Sequence, residues 1–236
     1  MQLSFNQNIS LDQLTNEYAN DKRVRAGRIL QPEHAADIYT SLSEQTSYDI
    51  ALVKDNVPCQ LTDSQWRSLS GPERQKIHRE TMQNASRGVG FIYGRYQLSS
   101  EQESITNLRA LHQWLNSDTV LSWVRKLSGH QDIIAASAQA TRFTPGQFLT
   151  RHIDTHESEQ RRVAYVLNFT KNWHPDWGGL LQFYQQDGTP RDAWAPGFNA
   201  LSLFDVTHVH SVTYVTPFAL MPRYAVTGWF RATPLA

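Results

Sequence analysis

Met221-Pro222-Arg223-Tyr224-Ala225-Val226-Thr227-Gly228-Trp229-Phe230 reads as a β-strand of aliphatic and aromatic residues with one cation near its start. Side chains alternate between the two faces of a strand, so Arg223, Ala225, Thr227 and Trp229 share one side. The same texture recurs upstream in short runs rich in β-branched and aromatic residues. They lie at roughly 132–143, 147–153, 161–169, 179–185, 199–205, 208–215 and 223–231. Asp187-Gly188 and Pro196-Gly197 punctuate them. An earlier run, from Gly88 to Leu98, is expected to join the same sheet. Many short strands without helices between them indicate a sandwich, barrel or jelly roll.

Before residue 132 the chain reads mainly as helix. Pro32 opens one helix, with Ala35, Ala36, Ile38, Tyr39 and Leu42 at helical spacing. Residues 63–84 are polar, with Trp66, Leu69 and Ile77 as the expected buried contacts. Ser100 followed by Glu101, Gln102 and Glu103 looks like a helix start. Ile105, Leu108, Leu111 and Leu115, then Val120, Trp123, Val124 and Leu127, predict two helices split near Asn116-Ser117-Asp118 and stopped at Gly129. The expected class is α+β. Residues 1–131 form a mainly helical support region and residues 132–236 the strand-rich catalytic region, in one integrated domain.

Composition narrows the function. The chain has 236 residues, 22 basic and 22 acidic side chains, nine His and one Cys, with 40% hydrophobic residues. This is a globular composition with enough chain for a sizeable core. Zero net charge argues against general nucleic-acid binding, which needs excess cations to neutralise phosphates. A single cysteine, Cys59, rules out an intrachain disulfide and a Cys-rich zinc site. Metal chemistry must therefore use His and carboxylates. No apolar run approaches the length of a membrane span, and the first residues lack a basic start followed by an apolar stretch, so the expected location is the cytosol.

Arg151-His152-Ile153-Asp154 is the sharpest local feature. On a strand His152 and Asp154 point to the same face and can converge on one ion. Taken alone, the pair is more often two polar side chains at a strand end. A third ligand has four downstream candidates: His156, His174, His208 and His210. Two His and a carboxylate suit non-haem Fe(II) with open positions, and also catalytic Zn²⁺. Arg223, if it faces the interior, needs an anion, and arginine is the best bidentate partner for a carboxylate. The competing reading has Arg223 in solvent or paired with an acidic side chain. Ordinary packing is the first expectation for Trp173, Trp177 and Trp194. Arg161 and Arg162 read as solvated strand-edge residues, and His34, His78, His112 and His130 as surface residues.

Together these residues resemble the 2-oxoglutarate- and Fe(II)-dependent oxygenases, in the branch with a prolyl 4-hydroxylase-like catalytic domain. The pattern is His152-Ile153-Asp154, then His210-Ser211-Val212, then Arg223-Tyr224-Ala225-Val226-Thr227-Gly228-Trp229-Phe230. Between them stand Phe143-Thr144-Pro145-Gly146, Tyr165-Val166-Leu167-Asn168 and Trp177-Gly178-Gly179-Leu180-Leu181-Gln182-Phe183. The resemblance covers about residues 141–231 and implies a double-stranded β-helix (jelly roll) core with supporting N-terminal helices. It selects His210 over His208 and assigns Fe(II) to His152, Asp154 and His210, which makes them the catalytic set. It assigns the distal carboxylate of 2-oxoglutarate to Arg223. The family often has Tyr at the position of Phe143, and some members have Tyr at Val166. Tyr165 and Thr227 are the substitutes expected to touch the cosubstrate here.

The implied activity is a dioxygenase that uses O₂ and 2-oxoglutarate, with ascorbate as an auxiliary reductant. It would hydroxylate a prolyl residue, free proline or a related substrate, on a protein or a small molecule. Two alternatives stand beside it: a zinc-dependent hydrolase using the same triad, and a non-catalytic 2-oxoglutarate-binding sensor on the same fold.

Overall fold

The computed structural model describes residues 2–55, 57–99 and 103–235. Helices and strands alternate in its first part: α1 (Leu11–Asp21), β1 (Arg23–Gly27), α2 (Pro32–Thr40), β2 (Asp49–Lys54), β3 (Val57–Leu61), α3 (Asp63–Ser68), α4 (Gly71–Ser86), β4 (Phe91–Gln97), α5 (Thr106–Leu115) and α6 (Asp118–Ser128). The second part is almost all strand: β5 (Ala135–Ala136), β6 (Gln139–Phe143), β7 (Phe148–His152), β8 (Arg161–Asn168), β9 (Leu181–Tyr184), β10 (Pro190–Trp194), β11 (Ala200–Asp205), β12 (His210–Val212) and β13 (Arg223–Arg231). Every run expected downstream of residue 132 carries a strand, and 88–98 contains β4.

Four strands escape the sequence reading: β1, β2, β3 and β10. Each is five or six residues long, and β1 and β10 carry arginines. Their partners, not their own patterns, hold them in place. β1, for instance, is laid along β11, with Arg23 opposite Phe204 and Gly27 opposite Ala200. The helix signals fare better. Ser117 Oγ accepts from Val120 N–H at the start of α6, and Gly129 closes that helix with φ 84°. The expected start at Ser100–Gln102 lies outside the described residues. α5 opens at Thr106, and Glu103 is buried, accepting from the Tyr96 hydroxyl and Ile105 N–H.

All strands join one sheet, in the order β1-β11-β8-β13-β6-β4-β7-β12-β9-β10, with β2 on β4, β3 on β2 and β5 on β13. The sheet curls so that its two halves face each other. Ala164 and Val166 of β8, Phe204 of β11 and Ala225 of β13 meet Leu181 and Phe183 of β9 in one apolar cluster. This is the jelly roll. β4 sits at the fold line: Gly94 to Gln97 pair with β6, while Phe91 and Ile92 pair with β7.

The other face of β8, β11 and β13 is covered by helices. Val163, Tyr165, Leu167, Leu203, Val226 and Phe230 pack with Leu14 and Tyr18 of α1, Ile38 of α2, Leu108 and Leu111 of α5 and Val124 of α6. Each such side chain contributes roughly 1.5–3 kcal/mol when fully buried. β8 is thus buried on both faces from Val163 onward, and Val163 to Leu167 form an apolar run without alternation. Backbones approach closely at Gly228, where a Cβ would run into the Ser137 carbonyl, and at Gly178 (φ 69°), where it would meet the Tyr214 carbonyl. Among the described residues, no helix is long and apolar enough to cross a membrane.

Candidate active site

The last residue of β7 and the first of β12 are both histidines, His152 and His210, and they are partners in the ladder. Beyond β7 the chain turns Ile153 outward. It then pins Asp154 through a hydrogen bond from its N–H to the Val206 carbonyl (2.9 Å). The result is a tight set: His152 Nε2 lies 3.5 Å from Asp154 Oδ1, and His210 Nε2 lies 3.4 Å from Oδ2. The three ligand atoms fall within 4.8 Å of one another, and among the described residues no other such group of three or more His, Cys, Asp or Glu occurs.

Both imidazoles are held by the same local device. His152 Nδ1 is 2.9 Å from the Thr150 carbonyl, and His210 Nδ1 is 2.9 Å from the His208 carbonyl. A carbonyl only accepts, so each Nδ1 carries a proton and each Nε2 faces Asp154; loss of the Nε2 proton of His152 leaves a lone pair there. That is the tautomer a metal needs. Burial pulls the His210 pKa down to about 4, against the opposing pull of Asp154. Burial also opposes charge on His152, but the hydrogen bond and charge of Asp154 outweigh it and hold its pKa above the ordinary value. Burial tends to raise Asp154. The His152 hydrogen bond and the charges of His210 and His152 overcome that and hold its pKa below the usual range, with the Trp229 indole adding to the effect. The carboxylate is therefore ionised, with donor atoms ready on one side.

A cavity of about 210 Å³ adjoins the set. Its walls include Phe143, Leu149, Val166, Leu181, Phe204 and Val212, and Arg223 stands among them. Arg223 is 2% exposed, its Nε has no hydrogen-bond partner, and no carboxylate among the described residues lies within ion-pair distance. Its guanidinium carbon is 5.2 Å from the centre of the Phe143 ring. Burial lowers its pKa to about 10, which still leaves it charged near neutral pH. An unpaired buried cation is expensive, and a bound anion would remove that cost. The residues thus fit both groups: two imidazoles and one carboxylate for Fe(II), and an orphan guanidinium for a carboxylate-bearing cosubstrate.

The other expectations divide. Thr227 is on the cavity side of β13 and its Oγ1 accepts from Gln139 Nε2 at 3.3 Å. Tyr165 is not where it was expected. It pairs with Gly228, on the face opposite Val166 and Thr227, and its side chain points into the helix-side core. Its hydroxyl donates to the Ser137 carbonyl (2.9 Å), and burial raises its pKa. Tyr165 borders the cavity, but its hydroxyl is committed to the Ser137 carbonyl. His208 is tied to the Asp21 carbonyl through Nε2 (2.9 Å), which leaves it no role in the set. His156 and His174 are exposed and accept from nearby backbone N–H groups. His112, expected on the surface, is 3% exposed in α5.

Packing accounts for the tryptophans: Trp173 meets Trp177 edge-on, and Trp194 meets Phe183. Arg161 and Arg162 are paired with Glu159 and Asp132. Tyr93 was missed. It stacks on Phe143 at 5.0 Å and 14°, placing a phenol in the cavity wall beside the Phe that replaces the family's Tyr. Its signal was the alternation Phe91, Tyr93, Arg95 in a strand already expected to join the sheet.

Comparisons with known proteins agree with this geometry. Residues 138–231 match the 2OG-Fe(II) oxygenase superfamily. A curated relative, prolyl 3-hydroxylase OGFOD1 of Mus musculus, is 32% identical over 118 residues, covering 46% of this chain and 21% of the relative. The match therefore spans about a fifth of that relative's length. A Pseudomonas putida prolyl-4-hydroxylase shares the fold with a TM-score of 0.62 at 15% identity, over 100% of this chain and 97% of its own. A Trichoplax adhaerens prolyl hydroxylase, solved with a hypoxia inducible factor peptide fragment, gives 0.65 at 16%, over 94% and 89%. The matched segment, residues 138–231, is similar to the 2OG-Fe(II) oxygenase superfamily and contains His152, Asp154, His210 and Arg223.

Proposed function

We propose that the chain hydroxylates a prolyl residue, free proline or a related substrate, using Fe(II) held by His152, Asp154 and His210 and 2-oxoglutarate held by Arg223. The single observation that carries the cosubstrate assignment is Arg223, a cation buried beside the metal set without an anion of its own. In the zinc-hydrolase alternative that residue would be a cost with no return. The prolyl substrate rests on the names of the relatives and on the shared fold.

Iron with 2-oxoglutarate and O₂ supplies oxidative decarboxylation to succinate and CO₂ and, with it, insertion of oxygen into a C–H bond. The chain's residues prepare the place. The carbonyls of Thr150 and His208 hold both imidazoles as Nδ1–H tautomers, with Nε2 facing Asp154. Arg223 offers N–H donors to the distal carboxylate, and the Thr227 hydroxyl stands on the same face of β13. Leu181, Phe204, Val166 and Val212 keep water from the reacting groups.

Adding Fe(II) and 2-oxoglutarate without oxygen should produce a weak visible charge-transfer band. A folded protein that shows none would overturn the assignment. Admitting O₂ should then release succinate, and a band without succinate would favour the sensor reading.

A further inference from the structure

The cavity at the metal set continues past Trp229. Tyr93, Gln139 and Trp229 line it, and they also line a neighbouring cleft of about 760 Å³. That volume suits a small ligand or a short peptide segment. The charged side chains lining the cleft are Arg95, Arg161, Arg231 and Glu159, three cations against one anion in a chain of zero net charge.

Two of the three arginines are already engaged. Arg161 Nε donates to Glu159 at 2.7 Å, and its guanidinium lies 3.5 Å from the centre of the Trp229 ring. Arg231 Nη1 is 3.8 Å from the same carboxylate. Arg95 differs. Its Nε and Nη2 both donate to Gln60 Oε1, a neutral acceptor, and no described carboxylate is within ion-pair distance of it. It is half-buried on β4, two residues from Tyr93 and on the same face. Opposite it in the two ladders are Thr141 of β6, itself in the cavity wall, and Asp49 of β2, which accepts from the same Gln60 but makes no ion pair with Arg95. Burial holds the Tyr93 phenol above its ordinary pKa, and the charge of Arg95 opposes that only in part. A cation and a phenol thus stand together where the cleft meets the metal cavity.

We propose that the substrate reaches the metal through this cleft and is anionic, its carboxylate held by Arg95 with the Tyr93 hydroxyl beside it. The proposal rests on the oxygenase reading above and adds the substrate's charge and route. Its two residues lie on β4, outside the segment that matches the superfamily. Arg95 lines the cleft and not the metal cavity, so it can be changed without touching the iron or 2-oxoglutarate residues.

The test uses three blocked tripeptides, Glu-Pro-Glu, Gln-Pro-Gln and Lys-Pro-Lys. Each is added under nitrogen to the full chain loaded with Fe(II) and 2-oxoglutarate, and binding is read from the shift of the visible band. The Glu peptide should bind at least about tenfold tighter than the Gln peptide, the ratio of one charge-assisted contact. R95Q should erase that ratio, and R95E should move the preference to the Lys peptide, which a merely structural role for Arg95 would not do. Equal affinities, no response to the Glu peptide, or a preference that survives R95Q would each overturn the proposal. If no band forms at all, the oxygenase reading falls and this one with it. A band that forms but ignores the Glu peptide removes only the substrate class.

Discussion

β13 carries an arginine at each end, and the two are treated in opposite ways. Arg231 lies near Glu159 and donates through Nε to Thr233 Oγ1 (2.9 Å), so its charge is met from within the chain. Arg223 is more deeply buried, at 2% exposure against 9%, and has no carboxylate within reach among the described residues. Folding alone gives no reason to keep such a group, because an unpaired charge in a protein interior costs several kcal/mol. A site that waits for an anion does. The contrast separates an arginine that stabilises the sheet from one that lowers its stability for the sake of binding.

The largest effect should come from the neighbours that Arg223 serves. Asp154→Ala or His210→Ala should lower iron-dependent succinate formation by more than the roughly 100-fold that even outer-shell changes can cause at metal sites. His208→Ala, two residues away, should keep the visible band. If His208→Ala lost the band and His210→Ala kept it, the ligand assignment would be wrong. Next, Arg223→Ala should raise the 2-oxoglutarate concentration for half-saturation by about 30-fold or more, the loss of one buried charge partner. Titrating the band against 2-oxoglutarate measures this directly.

Stability then breaks the comparison cleanly. Arg223→Met, which fills the same space without the charge, should stabilise the protein free of metal and cosubstrate by about 1–4 kcal/mol. Denaturant unfolding would show this, and a destabilised variant would mean that the arginine is already satisfied. Iron affinity should also depend on pH. The proton on His152 competes with the metal, and its pKa lies above 6.5. Affinity should therefore fall by up to about tenfold per pH unit as pH drops through that value, and level off above it. His210, at about 4, competes only in far more acidic solution. The smallest effect is expected at the other end of the strand: Arg231→Met should destabilise by no more than about 1 kcal/mol, the opposite sign from Arg223→Met.

Much of this was legible in the residues themselves. The His152-x-Asp154 pair, the strands downstream of residue 132 and the α6 boundaries at Ser117 and Gly129 all obey local rules of side-chain alternation and capping. Tyr165 shows where local rules stop. From Val163 to Leu167 the strand is buried on both faces and apolar at each position, so alternation cannot tell cavity from core. The choice is made by the ladder to Gly228 and by the Ser137 carbonyl. β1 and β2 were illegible for the same kind of reason. Arg23 meets Phe204 because β1 is laid on the edge of β11, far downstream in the chain, and no window of adjacent residues contains that information.

β4 and β1 also bear on the order in which the chain can assemble. One edge of β4 pairs with β2, but its other edge must wait for both β6 and β7. β1 must wait for β11, which begins at residue 200. During synthesis the amino-terminal half therefore emerges with open strand edges and an uncovered apolar face. Pairings this distant in sequence are slow to close. A ribosome-bound chain stopped before β11 should expose those edges to chaperones, and the metal set, with His210 still to come, could not yet exist in it.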